Sequence, residues 1–504
     1  MPVARVHTAQ PSITGSDVVT IETDLSRGLY SFSIVGLAGK AVEEARDRVS
    51  AAIKNSGYQS PKSKNNKVII SLAPADIKKE GPVYDLGIAI SYLIAAEEIK
   101  AEVSKRMFVG ELALDGTIRP VRGVLPIVQK AAALGYTEVI VPAGNAEESA
   151  LIPNIDTIPA RTLQEVIAHI STRTEQHVAI ATQPVTQIPN LWEEHTTRLD
   201  DIRGQEIAKR GLIIAAAGRH NVIMVGPPGT GKTMLARAFQ SILPPLATED
   251  ALEVTAIHSI AGEAGTISAR PPFRAPHHTA SHTSLVGGGT HPKPGEVTLA
   301  HKGVLFLDEF PEFERRSIDA LRQPLEDRVV SISRVHANVL FPADFIFIAA
   351  MNPTRGGDER GNYAHQMLDT YKQKISGPIL DRVDLWLEVP HVDYDTLTAP
   401  TITTTTETDA ARAQVTAART QQSQRFTDTG ISINAEMSSR DIDACISLTP
   451  AVQTLLRTSA ERLGLSPRSY HRLIKVSRTI ADLEQSEHIE EKHVLEALQY
   501  RVQV

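Results

Sequence analysis

The chain has 504 residues, 42% of them hydrophobic and 22% charged, which is typical of a soluble globular protein with roughly two to four domains. Its 52 Lys and Arg residues and 59 Asp and Glu residues give a net charge of −7, which excludes a uniformly basic protein and restricts any nucleic-acid binding to a local patch. The single cysteine, Cys445, excludes an internal disulfide framework and a cysteine-based zinc site.

The organisation of the chain is indicated by its polar stretches. The N-terminal residues contain no apolar signal core and no run of about 18 apolar residues occurs, so we expect a cytoplasmic protein without membrane contact. Residues 171–190, rich in Thr and Gln, and residues 396–408, with four consecutive threonines, are predicted linkers. They separate segments 1–170, 191–395 and 409–504.

The first segment mixes two kinds of periodicity. Residues 18–23 and 68–72 have the β-branched, apolar composition of strands. Residues 41–55 and 127–134 have helical spacing. The sequence therefore predicts an α+β or α/β domain.

The second segment begins with a phosphate-binding pattern. An apolar run, residues 221–225, leads as a buried strand into G-x-x-x-x-G-K-T, and a helix follows from Met234. The glycines let backbone N–H groups point at phosphates; Lys232 is predicted to reach the β- and γ-phosphates, and the Thr233 hydroxyl is predicted to hold Mg²⁺. A chance glycine-rich turn is the alternative, and the strand and helix around it argue against this. The predicted ATP-binding residues are Gly226, Pro227, Pro228, Gly229, Thr230, Gly231, Lys232 and Thr233.

A second element of an ATPase site follows. Residues 303–307 form a short apolar strand that ends at Asp308 and Glu309, the arrangement of a Walker B element. Because side chains alternate along a strand, the two carboxylates can act separately. Asp308 is predicted to bind Mg²⁺, and Glu309 is predicted to polarise the attacking water. A strand that ends in two exposed acids is the alternative.

Two more polar residues fit the same site. Asn352 follows a third apolar strand, residues 345–350, and is predicted to orient the lytic water; a turn-forming Asn before a proline is the alternative. Arg382, close to two aspartates, is a candidate arginine finger, although such an arginine is more often part of a surface ion pair.

The last segment is rich in Ala, Leu, Arg and Glu and has helical periodicity, which predicts a helical bundle. Arg468 lies in this segment. Taken alone, it reads as one of several solvated helix arginines.

The order of these motifs resembles that of the AAA+ ATPases. More narrowly, the chain is similar to the magnesium-chelatase-like group of the YifB/ComM type over nearly its whole length. The residues that carry this likeness, besides those above, lie at 33–36, 44–49, 72–76, 110–116, 274–279, 287–289, 294–296, 299–303 and 466–472.

The resemblance implies an α/β multidomain fold. It consists of a Lon-protease/S5-like α+β domain in residues 1–170, an AAA+ P-loop parallel-sheet domain with a helix-2 insert in residues 191–395, and an all-α chelatase-type lid in residues 409–504. It also implies a ring, usually hexameric, in which Arg382 completes a neighbour's site and Arg468 is the sensor on the lid.

The resemblance further implies an activity. A ring ATPase of this group uses ATP and Mg²⁺ to drive helicase or branch-migration work on branched or single-stranded DNA. Its implied role is recombination of incoming DNA during natural transformation. Two other functions remain open: a chelatase-like motor that remodels a protein partner, and a nucleotide-gated scaffold with little turnover, against which Glu309 argues.

The sequence departs from related proteins at two places. The Lon protease carries a nucleophilic Ser after Gly-Pro and a Lys base on a later helix, whereas Val83 and Leu125 stand here, so no protease activity is predicted. Members of the family often carry a cysteine cluster after the Asn-Pro pair. Residues 354–362 contain none, so no zinc-stabilised loop is predicted there.

Several basic residues and histidines are candidates for other contacts. Six histidines lie within residues 258–301, but their spacing matches no established metal site, and zinc is not favoured. The resemblance places them in a hairpin at the ring pore, where Arg270, Arg274 and Lys293 are available to DNA phosphates. Arg334 lies between two predicted strands, in a hairpin that carries a DNA-contacting residue in related helicases; an ordinary solvated turn is the alternative.

Overall fold

The chain folds into two compact units. The computed structural model describes residues 3–12, 15–63, 65–189, 192, 194–263, 267–289, 293–334, 337–352, 375, 377–393, 395, 406–427 and 429–501. Unit 1 comprises residues 1–189 and 248–268, and unit 2 comprises residues 190–247 and 269–504.

Unit 1 begins with a mixture of strands and helices. Its strands are β1 (Ala4–Ser12), β2 (Gly15–Arg27), β3 (Ser31–Val35), β4 (Asn66–Ala73), β5 (Arg106–Phe108), β6 (Glu111–Leu112), β7 (Ile118–Arg119), β8 (Glu138–Pro142) and β9 (Asp156–Ala160). Its helices up to residue 170 are α1 (Lys40–Asn55), α2 (Asp85–Ala95), α3 (Val124–Ala133), α4 (Ala146–Ser149) and α5 (Leu163–Ile170).

A mixed sheet forms the centre of unit 1. Among the described residues it has the order β3-β4-β2-β1-β5-β8-β9. Strand β2 pairs antiparallel with both β1 and β4. Strand β3 pairs parallel with β4. On the other side of β1, the strands β5, β8 and β9 continue the sheet with parallel pairing. Helix α2 packs on β1 and β2 and is buried from Asp85 to Leu93, as expected for a helix whose sequence is mostly apolar.

Unit 2 carries the phosphate-binding pattern. Its elements up to residue 388 are α6 (Glu206–Gly218), β10 (Val222–Val225), α7 (Lys232–Ser241), β11 (Phe273–Arg274), α9 (His282–Val286), β12 (Gly287–Gly288), β13 (Lys293–Pro294), α10 (Glu296–Leu299), β14 (Val304–Leu307), α11 (Arg315–Ala320), α12 (Arg322–Asp327), β15 (Val329–Arg334), β16 (Ala337–Pro342), β17 (Ile346–Met351), α13 (Gly377–Leu380) and β18 (Leu385–Glu388). Helix α8 (Thr248–Ala261) lies between α7 and β11 in the sequence.

The core of unit 2 is a parallel sheet. Its order is β11-β14-β17-β10-β18, and each neighbouring pair is parallel. The residues of β10, β14 and β17 are buried throughout, as expected for central parallel strands covered on both faces. The predicted α/β class with a parallel sheet is therefore confirmed. Because the carboxyl ends of these three strands meet at one edge, the residues that follow them form the site.

Helix α8 belongs to unit 1, although it follows α7 in the sequence. The Gly123 N–H at the start of α3 donates to the Ser259 hydroxyl at 3.0 Å. A side chain at Gly262, whose φ is +80°, would overlap the Arg122 guanidinium. The predicted ATPase segment, residues 191–395, thus contributes one helix to unit 1.

The end of unit 2 is helical where it is described, in residues 406–427 and 429–501. The helices are α14 (Glu407–Arg425), α15 (Ser439–Cys445), α16 (Pro450–Leu463), α17 (Pro467–Leu483) and α18 (Glu491–Gln499). Helices α16 and α17 begin with a Ser or Thr cap followed by proline, at Thr449 and Ser466, which satisfies N–H groups that the first turn leaves open.

Candidate nucleotide-hydrolysis site

The glycines of the phosphate-binding loop are required by its shape. A side chain at Gly226, directly after β10, would lie 2.0 Å from the Val389 carbonyl oxygen. Gly229 and Gly231 have φ values of +79° and +90°, and Gly231 caps helix α7. These conformations are accessible to glycine at little cost and keep the backbone N–H groups open toward the start of α7.

Lys232 is folded back into this loop. It is 6% exposed, and its Nζ donates to the carbonyl oxygens of Gly226 and Pro227 at 2.7 Å each. Burial lowers the pKa of Lys232, and the nearby Asp308 carboxylate opposes this. The ammonium group thus lies inside the loop, where the pattern predicts nucleotide phosphates, so these residues fit that ligand.

The two predicted Mg²⁺ ligands are in contact. The Thr233 hydroxyl donates to Asp308 Oδ2 at 2.7 Å, and the Glu309 N–H donates to Asp308 Oδ1 at 2.9 Å. A hydroxyl and a carboxylate side by side at a phosphate loop are the oxygen donors that Mg²⁺ takes together with nucleotide phosphates. The structure thus brings the end of β14 to the start of α7.

Glu309 has an unexpected partner. Its backbone has φ of +49°, an uncommon conformation for a residue other than glycine, and such conformations concentrate at functional sites. Its Oε2 lies 3.2 Å from Nδ1 of His278, so the imidazole donates a hydrogen bond when Nδ1 carries the proton. His277 packs against His278 with ring centroids 4.1 Å apart. The sequence does not reveal this contact between His278 and Glu309, because it spans 31 positions.

Asn352 lies at the same sheet edge. It follows Met351, which pairs with Val225 in the parallel register, so it stands beside the entry to the phosphate loop. Pro353 and the loop at residues 354–362 lie outside the described residues.

Arg382 and Arg468 meet at a carboxylate that the sequence does not single out. Arg382 is 8% exposed, and its guanidinium donates to Glu326 of α12 and to the Pro378 carbonyl. Arg468 donates to the other oxygen of Glu326 at 3.1 Å. Burial, followed by the charges of Arg468, Arg472 and Arg322, lowers the pKa of Arg382. The arginine finger and the sensor predicted from the sequence therefore lie together.

The predicted DNA-contacting residues have different surroundings. Arg274 forms a bidentate ion pair with Glu296, at 2.6 and 3.0 Å. Lys293 is exposed in β13, which pairs with β12. Arg334 ends β15 in a hairpin with β16, and its side chain lies outside the described part of the structure.

The positions that replace a protease dyad are structural. Val83 and Leu125 are buried and belong to the core of unit 1. Within the described residues, no cluster of three His, Cys, Asp or Glu side chains could hold a metal ion. None of the described helices is both long enough and apolar enough to span a membrane.

Known families match along most of the chain. Residues 21–145 match the description "Subunit ChlI of Mg-chelatase", residues 198–397 match "Magnesium chelatase, subunit ChlI", and residues 405–501 match "Magnesium chelatase, subunit ChlI C-terminal".

Curated relatives match over its full length. The chain is 42% identical to the competence protein ComM of Haemophilus influenzae, over 100% of this chain and 98% of the relative. It is 41% identical to the uncharacterised protein YifB of Escherichia coli, over 99% of this chain and 97% of the relative. A magnesium-chelatase 67 kDa subunit of Heliobacterium mobile is 27% identical over 40% of this chain and 35% of its own length.

Proposed function

We propose that this chain, which belongs to the YifB/ComM-type magnesium-chelatase-like AAA+ family, is an ATP-hydrolysing ring motor that drives branch migration or unwinding of DNA. The observation that carries the ATPase proposal is the contact of Thr233 with Asp308 beside the buried Lys232. These side chains would hold the phosphates and Mg²⁺, and the metal would offset charge on the phosphoryl group.

The chain's own residues perform the other parts of the reaction. The loop N–H groups and Lys232 bind and orient the phosphates. Once the contact between His278 and Glu309 breaks, the Glu309 carboxylate accepts a hydrogen bond from the attacking water. Asn352, at the neighbouring strand end, orients that water. Glu309 is exposed, so a water molecule can reach it.

Arg382 and Arg468 support a ring in this proposal. Their guanidinium groups share Glu326, and so they form one cationic pair that can meet a phosphate presented by a neighbouring subunit. We propose a hexamer, in which each subunit completes the site of the next.

DNA is the proposed substrate of the motor. A full-length relative is named for competence, and the exposed Lys293 and the β15–β16 hairpin with Arg334 are basic elements of unit 2. Recombination of incoming DNA is the proposed context, with branched or single-stranded DNA as the ligand.

The test is ATP turnover by the full chain with single-stranded, duplex and four-way DNA. We expect branched DNA to stimulate turnover and to be remodelled only with ATP. Lys232→Ala should abolish nucleotide binding, and Glu309→Gln should bind ATP without hydrolysing it. Unchanged turnover in either variant would refute the site assignment, and absence of any DNA effect would refute the motor proposal.

A chelatase-like remodelling ATPase that acts on a protein partner is the second candidate. It is favoured by the magnesium-chelatase family matches. This candidate would be supported if no DNA stimulated ATP turnover while Lys232→Ala and Glu309→Gln still lost turnover as expected.

A further inference from the structure

A cavity of about 370 Å³ lies in unit 2 and is distinct in its lining from the phosphate loop. Arg237 of α7 and Arg270, just before β11, line it, together with His195, Thr196 and Thr197 from the segment that precedes α6. None of the lining residues is a carboxylate. The cavity is therefore suited to an anion.

One of its two arginines is fixed in place. The Arg270 guanidinium donates to Gln240 Oε1 at 2.9 Å, and the Gln240 amide donates to the Pro271 carbonyl at 2.7 Å. Gln240 is 8% exposed, so it cannot swing away without breaking both bonds. Because Gln240 is itself fixed by a hydrogen bond to Pro271, it already orders the Arg270 side chain. Arg270 would therefore lose little conformational freedom on binding a ligand.

The other arginine is available. Arg237 is exposed on α7 and lines the cavity. An exposed guanidinium and a held one thus line the same cavity, and each can offer its planar fork of N–H groups to phosphate oxygens.

The remaining polar groups are neutral donors. Nδ1 of His195 is buried and has no hydrogen-bond partner among the described residues. Burial, and then the charges of Arg270, Arg412 and Arg198, lower the pKa of His195 to about 4, so the imidazole is neutral at pH 7. A neutral imidazole and the Thr196 and Thr197 hydroxyls supply donors without adding charge.

An aromatic ring completes the lining. Phe273 of β11 lines the cavity and is stacked on Phe306 of β14, with ring centroids 6.0 Å apart. An aromatic side chain beside arginines is the combination by which proteins hold the base and the phosphate of single-stranded nucleic acid. The volume lies at the small end of the range of roughly 300–1,000 Å³ for ligand pockets, which suits one nucleotide.

We propose that this cavity binds one nucleotide unit of single-stranded DNA, with Arg237 and Arg270 on its phosphate. That the ligand is a DNA strand rests on the proposed function, whereas the assignment of an anion site rests on the residues that line the cavity.

The test measures binding of a labelled oligothymidylate to the full chain without ATP, at several salt concentrations. We expect Arg237→Gln to weaken binding several-fold and to reduce the slope of log affinity against log salt by about one, as loss of a phosphate contact does. Arg270→Gln should act in the same direction. Arg315→Gln is the matched control, because Arg315 is an exposed arginine of α11 in the same unit.

The outcomes separate this inference from the proposed function. If the wild-type chain binds oligothymidylate and Arg237→Gln leaves both affinity and salt slope unchanged, the cavity assignment is wrong and the motor proposal stands. If the wild-type chain binds no oligothymidylate, the cavity assignment fails, and the motor proposal is decided separately by the effect of DNA on ATP turnover. A second arm adds free thymidine monophosphate; if it displaces the oligonucleotide at equal nucleotide concentration, the site takes free nucleotides and the assignment to a strand is overturned.

Discussion

At the scale of single residues, the charged side chains of the candidate site contact other residues of the chain. Lys232 is bound by loop carbonyls, Glu309 faces His278, and Arg382 is buried against Glu326. The sequence motifs identify Lys232, Glu309 and Arg382. They do not identify His278 and Glu326 as partners, because those contacts join positions far apart in the chain.

The contact between His278 and Glu309 leads to the first prediction. If the imidazole restrains the carboxylate, His278→Ala should raise ATP turnover without DNA several-fold and reduce the stimulation by DNA, since Glu309 is then free to orient water. Steady-state turnover with and without branched DNA measures both effects. His277→Ala, which removes the neighbouring ring, serves as the control, and a fall in turnover in His278→Ala would show that the histidine orients Glu309 productively instead.

Glu326 leads to a second prediction. Its carboxylate holds two guanidinium groups that the proposed mechanism directs at a phosphate, so the carboxylate competes with that phosphate. Glu326→Gln should therefore lower the KM for ATP several-fold with little change in kcat. Asp327→Asn is the matched control, because Asp327 is an exposed neighbour on the same helix. An unchanged KM with a large loss of kcat would contradict this and assign Glu326 to positioning the arginines.

At the scale of elements, a mostly buried carboxylate joins several parts of unit 2. Asp344 precedes β17 and lies within 3.0 to 3.7 Å of the side-chain nitrogens of Arg219, Lys302 and Arg328. Arg328 directly follows α12 and also contacts Glu436, at 2.6 Å, just before α15. One charge cluster thus connects α6, α12, the central sheet and the final helices, in an arrangement that only the assembled fold creates.

Asp344 leads to a third prediction, on pH. Burial alone would raise the pKa of Asp344, but the charges of Arg219, Arg328 and Lys302 hold it well below the usual range. The unfolded chain takes up the proton at a pKa near 3.9, so the stability from this carboxylate is complete above about pH 5 and is lost as the pH falls toward the folded pKa.

We expect Asp344→Asn to lower the free energy of unfolding by about 1–3 kcal/mol at pH 7, because it leaves partly buried cations without their partner, and to flatten the dependence on pH below 5. Urea unfolding followed by tryptophan fluorescence reports unit 2, because both tryptophans, Trp192 and Trp386, lie in it. Asp443→Asn, an exposed carboxylate on α15, should change neither quantity. Equal pH slopes for Asp344→Asn and wild type would exclude the assigned role.

At the scale of the whole molecule, the proposed ring requires that sites be shared between subunits. Lys232→Ala subunits lack nucleotide binding, and Arg382→Ala subunits lack the group proposed to act on a neighbour. Mixing the two should restore part of the ATP turnover that each lacks, because some interfaces then combine an intact loop with an intact arginine. No recovery at any mixing ratio, with assembly shown by light scattering, would place Arg382 within its own subunit's site.

Much of the fold and of the site could be predicted from local sequence pattern. The apolar runs before Gly226, Asp308 and Asn352 indicate central parallel strands, and the structure has strands there within one residue of the predicted ends. Helix α8 could not be assigned to unit 1, because its sequence shows a helix and not the surface on which that helix packs.

The sequence by itself determined the phosphate loop, the strand-end carboxylates and the family, because these depend on residue types at short, regular spacing. Only the tertiary structure decided that Thr233 contacts Asp308, that His278 contacts Glu309, and that Glu326 joins Arg382 to Arg468. It also placed Arg237 and Arg270 around one cavity. The physical reason is that such pairs form where separate strands and helices pack together, and local spacing carries no record of which distant side chain completes a charge or a hydrogen bond.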